Sequence, residues 1–172
     1  LFIDPKDQGV AQYLLLYGVF GEYETEIVKN LVKPGMTVVD VGANIGYFTV
    51  IFAKLVGNAG KVYAFEPDPH NYDLLSRNIK LNNLSNVILI PKALSDSAGK
   101  IKLFLDKTNL GNMSFAAQNI TDDGGKIDVE TITLDDYLGE KKADFIKIDV
   151  QGAEGLVLGG AKRALTNDHL KI

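Results

Sequence analysis

Cysteine is absent from this 172-residue chain, and histidine occurs only twice, at His70 and His169, far apart in sequence. Without thiols there can be no disulfides and no thiolate metal centre, and no metal ligand set is expected. Long apolar runs are missing as well. Nothing approaches the ~18 apolar residues of a membrane-crossing helix, and the opening LFIDPKDQG lacks the basic-then-apolar order of a secretion signal. A soluble, cytoplasmic protein with no membrane span is the expectation. Basic residues are not in excess either, with 18 Lys and Arg against 22 Asp and Glu. Nucleic-acid phosphates are held by clustered cations, so the formal charge of -4 argues against a nucleic-acid partner and for small ligands.

What is present is enough for one substantial core. With 46% hydrophobic and 23% charged residues, and no internal repeat or linker, the chain reads as a single α/β domain over residues 1–172. An N-terminal helical segment is expected to about residue 33, followed by an α/β core from about residue 36 to 172. Residues 23–31 (YETEIVKNL) carry apolar side chains at helical spacing and are stopped by Lys33-Pro34-Gly35. The stretch YLLLYGVF (residues 13–20) is read as packing on the sheet in preference to a lid or a partner surface.

The most informative phrase is TVVDVGANIGYFTV (residues 37–50), followed by KVYAFEP (residues 61–67). Thr37 to Val41 is a β-branched run, and Ile45, Phe48, Thr49, Phe52, Ala53 and Val56 recur at helical spacing. The residues between form a strand-to-helix turn. Gly42 and Gly46 let the backbone approach a ligand while the helix start offers unpaired N–H groups. Glu66 ends the next strand, 24 residues after Gly42, where a β-α-β unit would bring its carboxylate to the same sheet edge to accept two hydrogen bonds from a ribose diol.

The turn reads G-A-N-I-G-Y, with Asn44 and Tyr47 where a dinucleotide fold would carry its second and third glycines, and no G-x-x-x-x-G-K-[ST] phosphate loop occurs. Asp40, just before the turn, suits a ligand with an ammonium or sulfonium better than a phosphate. S-adenosylmethionine carries both cations.

Further along, residues 67–69 start a helix to about Asn82, residues 86–90 form a third strand, and residues 143–150 (ADFIKIDV) a fourth that delivers Asp149 to the edge shared with Asp40 and Glu66. Residues 100–103 and 127–131 alternate polar and apolar side chains, which predicts two half-buried strands joined by a long, functional loop. His70 is expected at the surface, and Asp135-Asp136 at the cap of a short helix. Of Tyr47 and Phe48, both candidate pocket walls, one is expected to be core. Glu24, of the Tyr23-Glu24 pair, could reach the methionine end or sit on a solvated face.

The sequence is similar to the FkbM-type family of S-adenosylmethionine-dependent methyltransferases. The resemblance runs through DVGANIGYFT (residues 40–49), FEPDPHNYDLLSRNIKLN (residues 65–82), ALSD (residues 93–96), GNMS (residues 111–114, with Asn112 and Ser114), ITLDDYL (residues 132–138) and IKIDVQGAE (residues 146–154). Gln151 departs from the glutamate usual in the family. The resemblance implies a Rossmann-like class I methyltransferase fold, a three-layer α/β/α sandwich with strand order 3-2-1-4-5-7-6. The chain stops at HLKI, where a fifth strand would begin, so a fragment lacking the last strands is expected, or else an edge covered by a partner chain, including a second copy.

The implied cofactor is S-adenosylmethionine, giving S-adenosylhomocysteine, and the expected cofactor-binding set is Asp40, Gly42, Ala43, Asn44, Gly46, Tyr47, Phe48, Glu66, Pro67, Ala93, Leu94 and Asp149. Candidate catalytic residues are Asp149, as general base or as a group orienting the methionine ammonium, and Glu154, which as a helix-start charge has an equally good structural role. The implied acceptor is a small-molecule hydroxyl, on a sugar or other metabolite. A non-catalytic nucleoside-binding or assembly module is the alternative, and a nicotinamide dehydrogenase ranks third.

Overall fold

Two short helices, α1 (Val10–Tyr17) and α2 (Glu22–Leu31), lead into the sheet in a computed structural model that describes residues 1–109, 113–115, 119 and 122–172. Asp7 starts α1 by accepting the N–H groups of Gly9 and Ala11, and Gly18 ends it in a left-handed conformation. The apolar run here does not simply pack on the sheet as its sequence predicts. Val10 and Ala11 are buried, and the α1 side meets Ile45 and Leu74, but Tyr13, Leu15, Leu16 and Tyr17 are more than half exposed. A helix turns once in 3.6 residues, so an apolar run of this length coats every face while only one can reach the core.

The strands are β1 (Thr37–Val41), β2 (Lys61–Phe65), β3 (Val87–Ile90), β4 (Ala93–Leu94), β5 (Gly99–Asp106), β6 (Asp123–Ile132) and β7 (Phe145–Ile148). Four of them form a parallel sheet in the order β3-β2-β1-β7. Helices α3 (Tyr47–Val56), α4 (Pro69–Leu81), α5 (Leu134–Leu138) and α6 (Glu154–Gly159) complete the frame. Strand alternation assigns the layers. Val38, Val62 and Phe145 face α2 and α3 through Val28, Phe48 and Phe52, while Val39, Val41, Tyr63, Phe65 and Ile146 face α5 and α6 through Leu134, Leu138 and Val157. Covering on both faces is why β1 reads as a nearly continuous apolar run, and it gives the expected three-layer α/β/α sandwich.

Helix α4 starts where Pro67-Asp68-Pro69 predicts, with Asp68 accepting the Asn71 N–H and proline in the first turn. Its buried Asn78 is a three-way joint. The side-chain amide donates to the Ile45 and Phe2 carbonyls and accepts from the Phe2 N–H. Thr133 caps α5, in place of the expected aspartates, and Asp135 instead accepts the N–H groups of Arg163 and Ala164.

The predicted half-buried strands form an antiparallel hairpin, β5 with β6, extended by β4. Within the connection expected as a long loop, Ser114 bridges back to Phe104, and Asn112 lies outside the described residues. Lys171 makes one parallel bridge to Phe145, at the place where the sequence predicts a further strand to begin. Among the described residues no helix is long and apolar enough to cross a membrane.

Candidate functional site

The carboxyl ends of β1, β2 and β7 lie level. Val41 pairs with Phe65 on one side and Ile148 on the other, so the residues that follow emerge along one edge. Gly42 and Ala43 both donate to the Phe65 carbonyl, which bends the chain across the end of β2. Gly42 has φ +73, and an added Cβ would lie 2.1 Å from the Asp149 carbonyl oxygen. Only glycine permits this close approach of the two strand ends. Gly46, at φ +89, serves helix packing: its missing Cβ makes room for Leu75, and it does not line the cleft.

Above these ends runs a cleft in two compartments that share Gly42, Asn44, Asp149 and Gln151. The first, of about 540 Å³, has an apolar wall of Phe65, Leu94, Leu103, Met113, Phe115 and Val150, with Glu66, Pro67, Asn71 and Ala93 also exposed to it. The second, of about 880 Å³, is walled by Tyr13, Phe20, Tyr47 and Phe48, and carries Lys147, Ala43, Gln8 and Asn109. Phe48 is also part of the core beneath, as the sequence predicts for one of this aromatic pair. Glu24 is exposed and lines neither compartment.

Glu66 is the deep polar group of the first compartment, 5% exposed. One carboxylate oxygen accepts the Asn44 N–H at 2.7 Å and the other the Asp68 N–H at 2.9 Å. Burial pushes its pKa up to about 7, against the opposing pull of those two N–H groups. Each oxygen keeps a lone pair for a ligand.

Asp40 corrects an expectation. It is fully buried and does not line the cleft; it lies beneath the glycine turn, accepting the Thr49 hydroxyl at 2.6 Å through one oxygen. The cation beside its other oxygen is Lys147, 3.4 Å away. Lys147 stands directly across from Asp40 in the parallel register and also donates to the Gly42 carbonyl at 3.0 Å. Sequence reasoning overlooked it. The signal was there in ADFIKIDV: a lysine within a strand whose neighbours are all apolar, in a sheet covered on both faces.

Asp149 reaches both compartments as expected. Its Oδ1 accepts from the Gln151 side chain at 2.9 Å, and its Oδ2 is 3.9 Å from Lys147. Gln151 has φ +54, and its carbonyl accepts from Ser114 and Asn119, so the hairpin connection is fastened to the turn after β7. Glu154 lies outside the cleft. Its Oε1 accepts the Val150 and Gly152 N–H groups, each at 3.2 Å. Burial works to raise its acidity value, but these backbone donors win and hold it below the usual range. That is a turn-closing role, and the catalytic expectation for Glu154 has no support in the geometry.

His70 sits half exposed, 3.1 Å from Asp4, a surface residue as predicted.

The groups present match the parts of an adenosyl amino acid. An apolar slot suits a purine, a deep carboxylate suits a ribose diol, and a compartment with charges of both signs suits a zwitterion. Comparison with known proteins agrees. A family model described as "Methyltransferase FkbM domain" matches residues 40–172. Methyltransferase sdnD of Sordaria araneosa is 36% identical over 72% of this chain and 59% of its own length. The 2-O-methyltransferase NoeI of Sinorhizobium fredii is 31% identical over 82% of this chain and 63% of its own. The 31-O-demethyl-FK506 methyltransferase FkbM of Streptomyces tacrolimicus is 30% identical over 77% and 62%. The chain thus spans about six-tenths of the length of these relatives. Among solved structures, a Methyltransferase FkbM from Methylobacillus flagellatus shares the fold, with TM-score 0.57 at 18% identity over 86% of this chain and 39% of that one. With its glycine turn, its strand-end acids and a family match over most of its length, the chain belongs to the FkbM-type family of class I S-adenosylmethionine-dependent methyltransferases.

Proposed function

We propose that this chain binds S-adenosylmethionine and methylates a hydroxyl group of a small molecule, a sugar or a comparable metabolite. The observation that carries the cofactor half is Glu66, a nearly inaccessible carboxylate at the end of β2 with an apolar slot above it and Gly42 beside it. Glu66 would accept the ribose hydroxyls, Leu94, Met113 and Phe115 would enclose the base, and Gly42 and Asn44 would let the backbone approach. The bound cofactor supplies an electrophilic methyl carbon on a positively charged sulfur. Asp149, on the rim between the compartments, would orient the cofactor's ammonium and the acceptor hydroxyl, with general base as its lesser role. The names of NoeI and FkbM, both O-methyltransferases, support oxygen as the methylated atom.

The test is calorimetric titration with S-adenosylhomocysteine, with NAD as control and Glu66→Ala alongside. Binding is expected for the first ligand alone. Loss of two charge-assisted hydrogen bonds in the variant, about 1.5–3 kcal/mol each, should weaken it by roughly two to four decades. No binding by folded wild-type protein would sink the cofactor reading. Binding without turnover across a panel of hydroxylated acceptors would favour the non-catalytic module.

A further inference from the structure

The second compartment holds a cation whose bonding is incomplete. Lys147 Nζ has three donors, and among the described residues one is taken, by the Gly42 carbonyl at 3.0 Å. The carboxylates of Asp40 and Asp149 stand at 3.4 Å and 3.9 Å, close enough to hold the charge but not hydrogen-bonded to it. The facing oxygen, Asp40 Oδ1, is buried and has no hydrogen-bond partner among the described residues. The lysine stem passes the Phe48 ring, with the ammonium 5.4 Å from its centroid, and the side chain is 18% exposed, towards the cleft. Of the described residues lining this compartment, Lys147 is the one cation.

An ammonium in low dielectric with spare donors recruits an anion. The two neighbouring aspartates limit which anion fits. A phosphate or sulfate would bring excess negative charge against both, whereas a carboxylate that carries its own ammonium brings none. An α-amino acid group meets that requirement: its carboxylate can take the free Lys147 donors while its ammonium faces Asp149 and the carbonyl-rich turn.

We propose that Lys147 is the residue that binds the carboxylate of the cofactor's amino-acid end, an inference that rests on the cofactor assignment above. The buried Asp40 then acts through Lys147, holding its ammonium at the turn.

The experiment is titration with two ligands that differ in one group, S-adenosylhomocysteine and its decarboxylated analogue, S-adenosyl-3-thiopropylamine. Wild-type protein is expected to prefer the former by about ten- to hundredfold, the range of one charge-assisted hydrogen bond. Lys147→Met should erase the preference while leaving affinity for the decarboxylated analogue nearly intact, and Lys147→Arg should keep most of it. Equal affinity of the wild type for the two ligands would overturn the proposal with no variant needed. So would a Lys147→Met protein that weakens both ligands by the same factor, which would mean that the lysine only supports the turn. If the wild type binds neither ligand, the cofactor assignment itself fails, and this proposal with it.

Discussion

Glu66 and Asp40 belong to neighbouring parallel strands, are both nearly inaccessible to solvent, and differ in what stands opposite. Asp40 has Lys147 across the sheet and the Thr49 hydroxyl against it. Glu66 has two backbone N–H groups and, among the described residues, no ion pair; burial raises its pKa to about 7. Two carboxylates on neighbouring strands therefore do different work. One holds a lysine and a hydroxyl in place. The other is poised between charged and neutral, and awaits hydrogen-bond donors from a ligand.

The strongest way to break this comparison is at Asp40. Replacing it with alanine removes the counter-charge of a mostly buried ammonium and the acceptor of a buried hydroxyl, and is expected to cost about 3–5 kcal/mol of stability, read from urea unfolding. The same measurement on Glu66→Gln should go the other way at neutral pH. A carboxyl whose folded value is raised binds its proton more tightly when folded, so wild-type stability should fall as pH climbs from the ordinary value near 4.5 to about 7, then level off. Glu66→Gln lacks that decline, and its stability relative to wild type should gain up to about 3 kcal/mol between pH 4.5 and 8. If the two acids respond alike, the contrast in their partners has no energetic weight.

Ligand binding sharpens the contrast further. Hydrogen-bond donors from a ribose favour the ionised Glu66, so S-adenosylhomocysteine should bind more tightly as pH rises through about 7 and should expel a fraction of a proton below it. Calorimetry at about pH 6 in buffers of different ionisation enthalpy reads that proton; Glu66→Gln should release none. The smallest effect is expected at Ser114, which touches neither acid. Ser114→Ala removes the hydroxyl that holds the Gln151 carbonyl, and should cost about 1 kcal/mol in stability with the pH profile unchanged in shape.

Much of the compartment around Glu66 was legible because its signals are local. Thr37 to Val41, the glycine turn and the acid after KVYAF each report a backbone state within a few residues, and the structure has β1 and β2 where they predict. The charged end was less legible because its logic is pairwise across the sheet. Asp40 looks ligand-facing until the register brings Lys147 beside it, and Glu154 looks catalytic until its oxygen closes the turn on Val150 and Gly152. Gly46 failed in the same way: its backbone state was readable, but Leu75, the group that needs the space, lies 29 residues on. The exposed half of α1 shows the limit of composition, since apolar content says that a helix can bury a face but not how much partner surface exists.

Asn78 gives the molecule an unforeseen handle. One side-chain amide binds both Phe2, at the start of the chain, and Ile45, inside the glycine turn. If the segment around Phe2 lifts away, a buried amide loses two of these three hydrogen bonds at once and keeps only the one to the turn. Any coupling through this shared amide runs both ways by thermodynamic reciprocity, so a ligand that stiffens the turn is expected to steady the segment around Phe2 as well. Protease sensitivity of the segment around Phe2 would then serve as a reporter of ligand occupancy, with no label placed anywhere near the cleft.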